Sequence, residues 1–310
     1  MSAPFVWTDE AVRRALGLEG GEAEPAYYAV GTDTRTLPAG ALFVALEGPR
    51  FDGHAFVAEA AAAGARGVVV HRPVEAPAGV AVYRVADTLQ ALGALARYRR
   101  EALRTPVVAV TGSSGKTSTK AFLEAALAAG RRVHATPGNL NNRVGLPLTL
   151  LAAPDEAEVV VLEMGTSEPG EIAALTEVAR PDVGVVTTVA EAHVEGLGSL
   201  EGVLAEKLAL LRGLAPDGRA LVGAEPPLLA EAARALRADV RVAGWGEAAD
   251  ADLTPVDVHR MDDGRWGFTW RGEQVALGVP GRHAVTNALL ALAVAETLGV
   301  PAAAAARAVG

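Results

Sequence analysis

Three lysines, Lys116, Lys120 and Lys207, stand among the 28 basic residues of the chain, and two of them occupy places where arginine could not do the same chemistry. Lysine offers a compact ammonium, or a neutral amine once its proton is lost, whereas the arginine guanidinium is planar and keeps its charge. Lys116 lies in Thr111-Gly112-Ser113-Ser114-Gly115-Lys116-Thr117-Ser118-Thr119. Glycines let backbone N–H groups turn inward onto phosphate oxygens, and a helix opening at Lys116 adds the positive end of its dipole. In such a loop Lys116 reaches the β/γ-phosphates and the Thr117 hydroxyl ligates Mg2+; Ser113, Ser114 and Ser118 are counted with them as ATP-site candidates. The common form of the motif has glycine where this chain has Val110, so the loop is a variant that begins at Gly112. The plain alternative is a glycine turn capping a helix. Lys120, one turn further on, reads equally well as an exposed helix residue.

Glu163 closes the run Val159-Val160-Val161-Leu162-Glu163-Met164. An acid at the carboxyl end of a core strand faces the crevice where ligands bind in open α/β sheets, and its oxygens suit a hard cation such as Mg2+. His193 follows the next strand in Ala190-Glu191-Ala192-His193-Val194-Glu195-Gly196, although a lone histidine is more often structural. Lys207 sits in Ala205-Glu206-Lys207-Leu208 on the helix after it. A bare ammonium would repel a metal. A carbamate formed from the neutral amine and CO2 would present oxygens to one, which arginine could not do. From spacing alone, a surface Glu206–Lys207 pair is the simpler reading.

These residues need a scaffold. At 310 residues, half of them hydrophobic, the chain has material for roughly two domains. A net charge of −9 without a basic stripe makes nucleic acid a poor partner. The absence of cysteine excludes disulfides and thiolate-bound metal. No basic segment followed by an apolar run opens the chain, and the most apolar stretch, Ala288 to Ala295, is far shorter than the ~20 residues needed to span a bilayer. A cytoplasmic protein without membrane insertion is the matching expectation.

Residues 1–84 read as a small α/β unit, with strands at Ala41–Leu46 and Gly67–Val70 and a helix from His54 to Ala63 between them. Thr88 to Leu103 has helical spacing and bridges to the next unit. From Val107 the pattern alternates strand and helix. The strands Val107–Thr111, Val159–Met164, Val183–Val189 and Arg219–Gly223 are near-continuous apolar runs, which mark a parallel sheet covered on both faces. The expected fold is therefore α/β: a small N-terminal domain followed, over 85–300, by a doubly wound, mostly parallel sheet. Turns at Asp262-Asp263-Gly264 and Arg271-Gly272 predict a small antiparallel annex within 252–279. A strong helix follows from about Ala284 to Leu298, and residues 301–310 read as the start of a further domain.

Taken together these segments resemble the Mur ligase family, and within it the MurF type. Thr32-Asp33-Thr34-Arg35 and the stretch Leu42 to Phe56, with its Asp52-Gly53-His54, look like the uridine-nucleotide end of the family's N-terminal domain. The loop at Gly112–Thr117 looks like its ATP loop. Gly138-Asn139-Leu140-Asn141-Asn142 through Gly145-Leu146-Pro147, Ala192-His193-x-Glu195-Gly196 and Gly281-x-His283-x-x-x-Asn287 are similar to further family segments. The resemblance implies an ATP-dependent amide ligase of peptidoglycan precursor synthesis that joins D-alanyl-D-alanine to UDP-MurNAc-tripeptide through an acyl phosphate. It implies ATP and Mg2+ as cofactors and a monomer. Glu163 would hold one Mg2+, with His193 and a carbamylated Lys207 on a second. Asn287 would contact adenine, and Asp33, Thr34, Arg35, Asn141 and Asn142 the UDP-linked substrate. The resemblance also implies a third, C-terminal domain beyond residue 310, so that this chain alone would turn over poorly. The rival readings are a family member that adds a single amino acid, and a generic phosphate-loop ATPase or nucleotide-binding fragment.

Overall fold

The protein is described by a computed structural model over residues 5–20, 25–190, 197–246, 248 and 250–310. It divides into two compact units, Met1–Arg104 with Arg143–Glu156, and Thr105–Asn142 with Ala157–Gly310. The first unit extends past the expected limit at 84 because the helix Thr88–Ala102 buries Ala91, Leu92 and Leu95 in its core. Asp87 starts that helix by accepting the N–H groups of Leu89 and Gln90. The helix Gly145–Leu151 packs on the same helix, which is why a later stretch of chain belongs to this unit.

The first unit holds a four-stranded parallel sheet in the order Val30–Gly31, Leu42–Val44, Gly67–Val70, Ala81–Arg84. Its buried polar groups are joined to one another. Tyr83 gives its only proton to Asp9 at 2.7 Å, so Tyr27, 2.8 Å away, must donate to Tyr83, and Arg13 caps the other Asp9 oxygen at 2.8 Å. Burial raises the pKa of both tyrosines and keeps this chain of protons in place. Arg99, also buried, donates to the Ala153 carbonyl at 2.7 Å and to Asp155 at 2.6 Å.

The second unit is built on a six-stranded sheet in the order Val133–Ala135, Val159–Glu163, Val107–Thr111, Val183–Val186, Arg219–Gly223, Arg241–Ala243. All neighbours are parallel. The four inner strands are buried along nearly their whole length, as their apolar runs predict. From Val107–Thr111 the chain moves to one edge, returns to Val159–Glu163, and then crosses to Val183–Val186 on the other side. The order of strands thus reverses at Val107–Thr111, and a crevice opens at the carboxyl ends there. The antiparallel annex is present as Val256–Arg260, Arg265–Trp270 and Glu273–Pro280.

The helix His283–Thr297 is buried on every side from Ala288 to Ala295, which explains its lack of a polar face there. It packs against the helix Lys116–Ala128 and the annex. Residues 301–310 are not separate from this unit: the helix Ala302–Val309 lays Ala305, Ala306 and Val309 into the same core. No helix among the described residues is long and apolar enough to cross a membrane.

Candidate functional site

The loop Gly112–Gly115 joins the reversal strand to the helix Lys116–Ala128. Its shape depends on both glycines. Gly112 has φ +152°, and a Cβ there would lie 2.0 Å from Thr187 Oγ1. Gly115 has φ +80°, and a Cβ would press on the Asn287 amide at 2.9 Å. The residues after Val183–Val186 pin the loop. Thr187 Oγ1 donates to the Ser114 carbonyl at 2.5 Å, Ser113 N–H to the Thr188 carbonyl at 2.9 Å, and the Ala190 N–H to Ser113 Oγ at 3.0 Å. Val110 needs no glycine, because it is still a buried strand residue in register with Glu163.

Lys116 Nζ curls back to the Gly112 carbonyl at 2.8 Å, so the ammonium lies over the loop. Burial lowers its pKa, and Glu163 opposes that shift. Glu163 is buried at the end of its strand. Its Oε1 accepts from Asn141 Nδ2 at 2.9 Å and lies 3.4 Å from the Thr117 hydroxyl. Its Oε2 has no hydrogen-bond partner, although Lys120 Nζ stands 3.4 Å away as an ion partner. Lys120 is therefore not the exposed helix residue that its spacing allowed. It is buried and donates to the carbonyls of Thr136 at 2.9 Å and Gly138 at 2.7 Å. The signal that could have found it was the rarity of lysine in this chain.

Lys207 is 1% exposed, and its pKa is pushed down to about 8, first by burial and then by the charge of Lys116, against the pull of Glu206 and Glu171. The surface pair Glu206–Lys207 does not exist. Glu206 is itself buried and accepts the N–H groups of Gly170 and Ile172, each at 2.7 Å, at the start of the helix Glu171–Ala179. Lys207 is thus a poorly solvated amine close enough to Lys116 to feel its charge.

The structure therefore gathers Gly112 to Ser118, Glu163, Asn141, Lys207 and Asn287 within one unit. Asn141, expected at the substrate, donates to Glu163, and Asn142 beside it is exposed. Asn287 is buried against Gly115, with its Nδ2 unpartnered. His193 lies outside the described residues. Asp33, Thr34 and Arg35 belong to the first unit, on an exposed turn where Arg35 forks onto Asp33 at 2.6 Å. That pairing holds the Asp33 carboxyl down at about 2. In the same unit buried His54 accepts the His71 N–H on Nε2, so its proton sits on Nδ1 and goes to Asp52 at 2.7 Å.

The donors fit a magnesium ion. A hydroxyl and a buried carboxylate with one orphaned oxygen supply hard ligands, and Mg2+ typically takes few protein ligands beside phosphates and water. Among the described residues no group of three or more His, Asp or Glu side chains forms a cage for a metal.

Comparison with known proteins bears on the whole chain. Residues 110–295 match the Mur ligase middle domain, and residues 26–100 match the Mur ligase family, catalytic domain. The UDP-N-acetylmuramoyl-tripeptide--D-alanyl-D-alanine ligase of Bacillus subtilis is 41% identical over 291 residues, covering 91% of this chain and 62% of that protein. Among solved structures, MurF from Acinetobacter baumannii superposes with a TM-score of 0.88 at 32% identity, over 99% of this chain and 68% of that one. MurF from Thermotoga maritima, in complex with ADP, does so with a TM-score of 0.78 at 31% identity, over 90% and 65%. The chain spans about three fifths of the length of the curated relatives it matches. A match to the family's middle domain over more than half the chain, set on the loop and carboxylate geometry above, means that this protein is a member of the Mur ligase family.

Proposed function

We propose that this chain carries the nucleotide and UDP-substrate sites of an ATP-dependent ligase of the MurF type, which joins D-alanyl-D-alanine to UDP-MurNAc-tripeptide. The observation that carries the reading is the pairing of a pinned phosphate loop with a buried carboxylate whose Oε2 is open. ATP would lie with its phosphates on the loop, taking Lys116 from the Gly112 carbonyl, and with adenine toward Asn287. Asp33, Thr34 and Arg35 would serve the uridine end. Asn142, exposed beside Asn141, would face the UDP-linked substrate. No helix among the described residues is long and apolar enough to cross a membrane, and a cytoplasmic monomer belongs to the same reading.

The reaction joins two anions before it joins an amine. A tripeptide carboxylate oxygen attacks the γ-phosphorus, and the bond to ADP breaks. The amine of D-alanyl-D-alanine then attacks the acyl carbon, phosphate leaves, and the nitrogen gives up its proton. Lys116 and the inward N–H groups offset charge on the transferring phosphoryl group. Mg2+ held by Thr117 and Glu163, and a second by His193 and carbamylated Lys207, would supply further neutralisation. The low pKa of Lys207 suits the carbamate, because CO2 adds only to the neutral amine.

Lys116→Ala should weaken ATP binding or its turnover by about 100-fold or more, since one charged donor to a developing anion is commonly worth that much. Calorimetry with ATP, with UDP-MurNAc-tripeptide and with UDP-MurNAc-dipeptide separates the readings. Preference for the tripeptide with ATP binding dependent on Lys116 supports the proposal. ATP binding without either UDP-sugar would turn the reading toward a generic ATPase.

A further inference from the structure

Lys120 has no role in the function argued so far, yet it is one of the few fully interior charges of the second unit. An ammonium taken out of water costs several kcal/mol unless partners replace its solvent. Here the partners are specific. An ammonium has three N–H bonds in a tetrahedral array. Two go to the carbonyls of Thr136 and Gly138, at 2.9 and 2.7 Å, in the segment that leads to Asn141. Glu163 Oε2 stands 3.4 Å from Nζ as an ion partner, without a hydrogen bond. Asn141 and Thr117 occupy the other oxygen. Arginine could not replace this set, because a planar fork cannot bring two carbonyls and a nearby carboxylate together around one nitrogen.

We propose that Lys120 is a positioning residue for the metal of the nucleotide site. It ties the strand-to-Asn141 segment and Glu163 into one rigid group, balances the buried carboxylate, and leaves Oε2 without a hydrogen bond, ready for a cation. At 3.4 Å the ammonium makes no hydrogen bond to Oε2, whose lone pairs stay available to a metal. This inference rests on the nucleotide-site reading above.

The test uses Mn2+ as the probe, with ADP. Mn2+ uptake by the ADP-loaded chain is followed by loss of the free-ion electron paramagnetic resonance signal, and ADP binding in EDTA is followed by calorimetry. Lys120→Met should weaken Mn2+ uptake about 10–100-fold, the usual loss when a residue that orients a metal ligand is removed. Metal-free ADP binding should change by no more than about twofold, the scatter of independent sites. In a Glu163→Gln background the same substitution should add no more than about twofold, because its effect runs through that carboxylate. If Lys120→Met does not fold, Lys120→Arg takes its place with the same expected loss. Wild-type Mn2+ uptake in the folded variant overturns the proposal, as does an equal loss in EDTA, which would make Lys120 a clamp for the loop alone. A wild-type chain that takes up neither ADP nor Mn2+ would instead overturn the nucleotide-site reading.

Discussion

In the first unit Tyr27 donates to Tyr83, Tyr83 to Asp9, and Arg13 closes the far side of the carboxylate. Arg99, Asp155 and the Phe5 N–H make a second closed group, and the nitrogens of His54 are both engaged. The second unit treats its buried polar groups differently. The described buried side-chain atoms that lack a hydrogen bond are Thr119 Oγ1, Glu163 Oε2, Trp270 Nε1 and Asn287 Nδ2, all in that unit. Leaving such an atom unpaired costs about 1–3 kcal/mol. Closed groups hold a fold together; open ones at the mouth of a phosphate loop carry a standing cost that a ligand can relieve.

The contrast can be broken at its closed end first. Arg99→Ala strands Asp155 and the Ala153 carbonyl, and should lower stability by about 3 kcal/mol, the low end for a broken buried pair because Asp155 is partly exposed. Denaturant unfolding checks the loss, and ADP binding should stay unchanged. Nucleotide affinity that falls with stability would mean the two units are not separable in this way.

A second effect, at most as large, tests the cost of openness. Lys207 loses its proton near pH 8 when folded and near 10.5 when unfolded, so the unfolded chain holds the extra proton between those values. Stability contributed by this group therefore rises as pH goes from about 8 to 10.5, by at most about 3 kcal/mol. The difference in unfolding free energy between wild type and Lys207→Met, measured in CO2-free buffer, should follow that rise. A flat difference would mean that the amine is better solvated than its burial implies.

The smallest effect is expected at Asn287. Because its Nδ2 is already unpaired, Asn287→Ala should change stability by less than about 1 kcal/mol, while nucleotide affinity falls. A large loss of stability with ADP affinity intact would make Asn287 another closed structural group.

What was legible in the chain follows the same division between long-range and local causes. The inner strands of the parallel sheet announce themselves by unbroken valine-rich runs, and the phosphate loop by its glycines. The edge strand Val133–Ala135 is short and only half buried, so it leaves no such run. Gly145–Leu151 contains Pro147, and nothing local tells that it returns to the first unit. Lys120 and Glu206 were hidden for a related reason. Each lies on a helix, but its partners are carbonyls and N–H groups far away in sequence, in Thr136 and Gly138 for one and Gly170 and Ile172 for the other. Spacing reports which side of a helix a residue takes; it does not report which loop folds over that side.

The close fit of Gly115 to Asn287 constrains how this protein can evolve. A side chain at 115 would need left-handed backbone and would also press on the Asn287 amide and turn it away. Shrinking 287 removes the amide that we assign to the nucleotide. The backbone thus closes position 115 whatever stands at 287, and position 287 is held by what its amide does for the nucleotide, so this corner has few ways to drift.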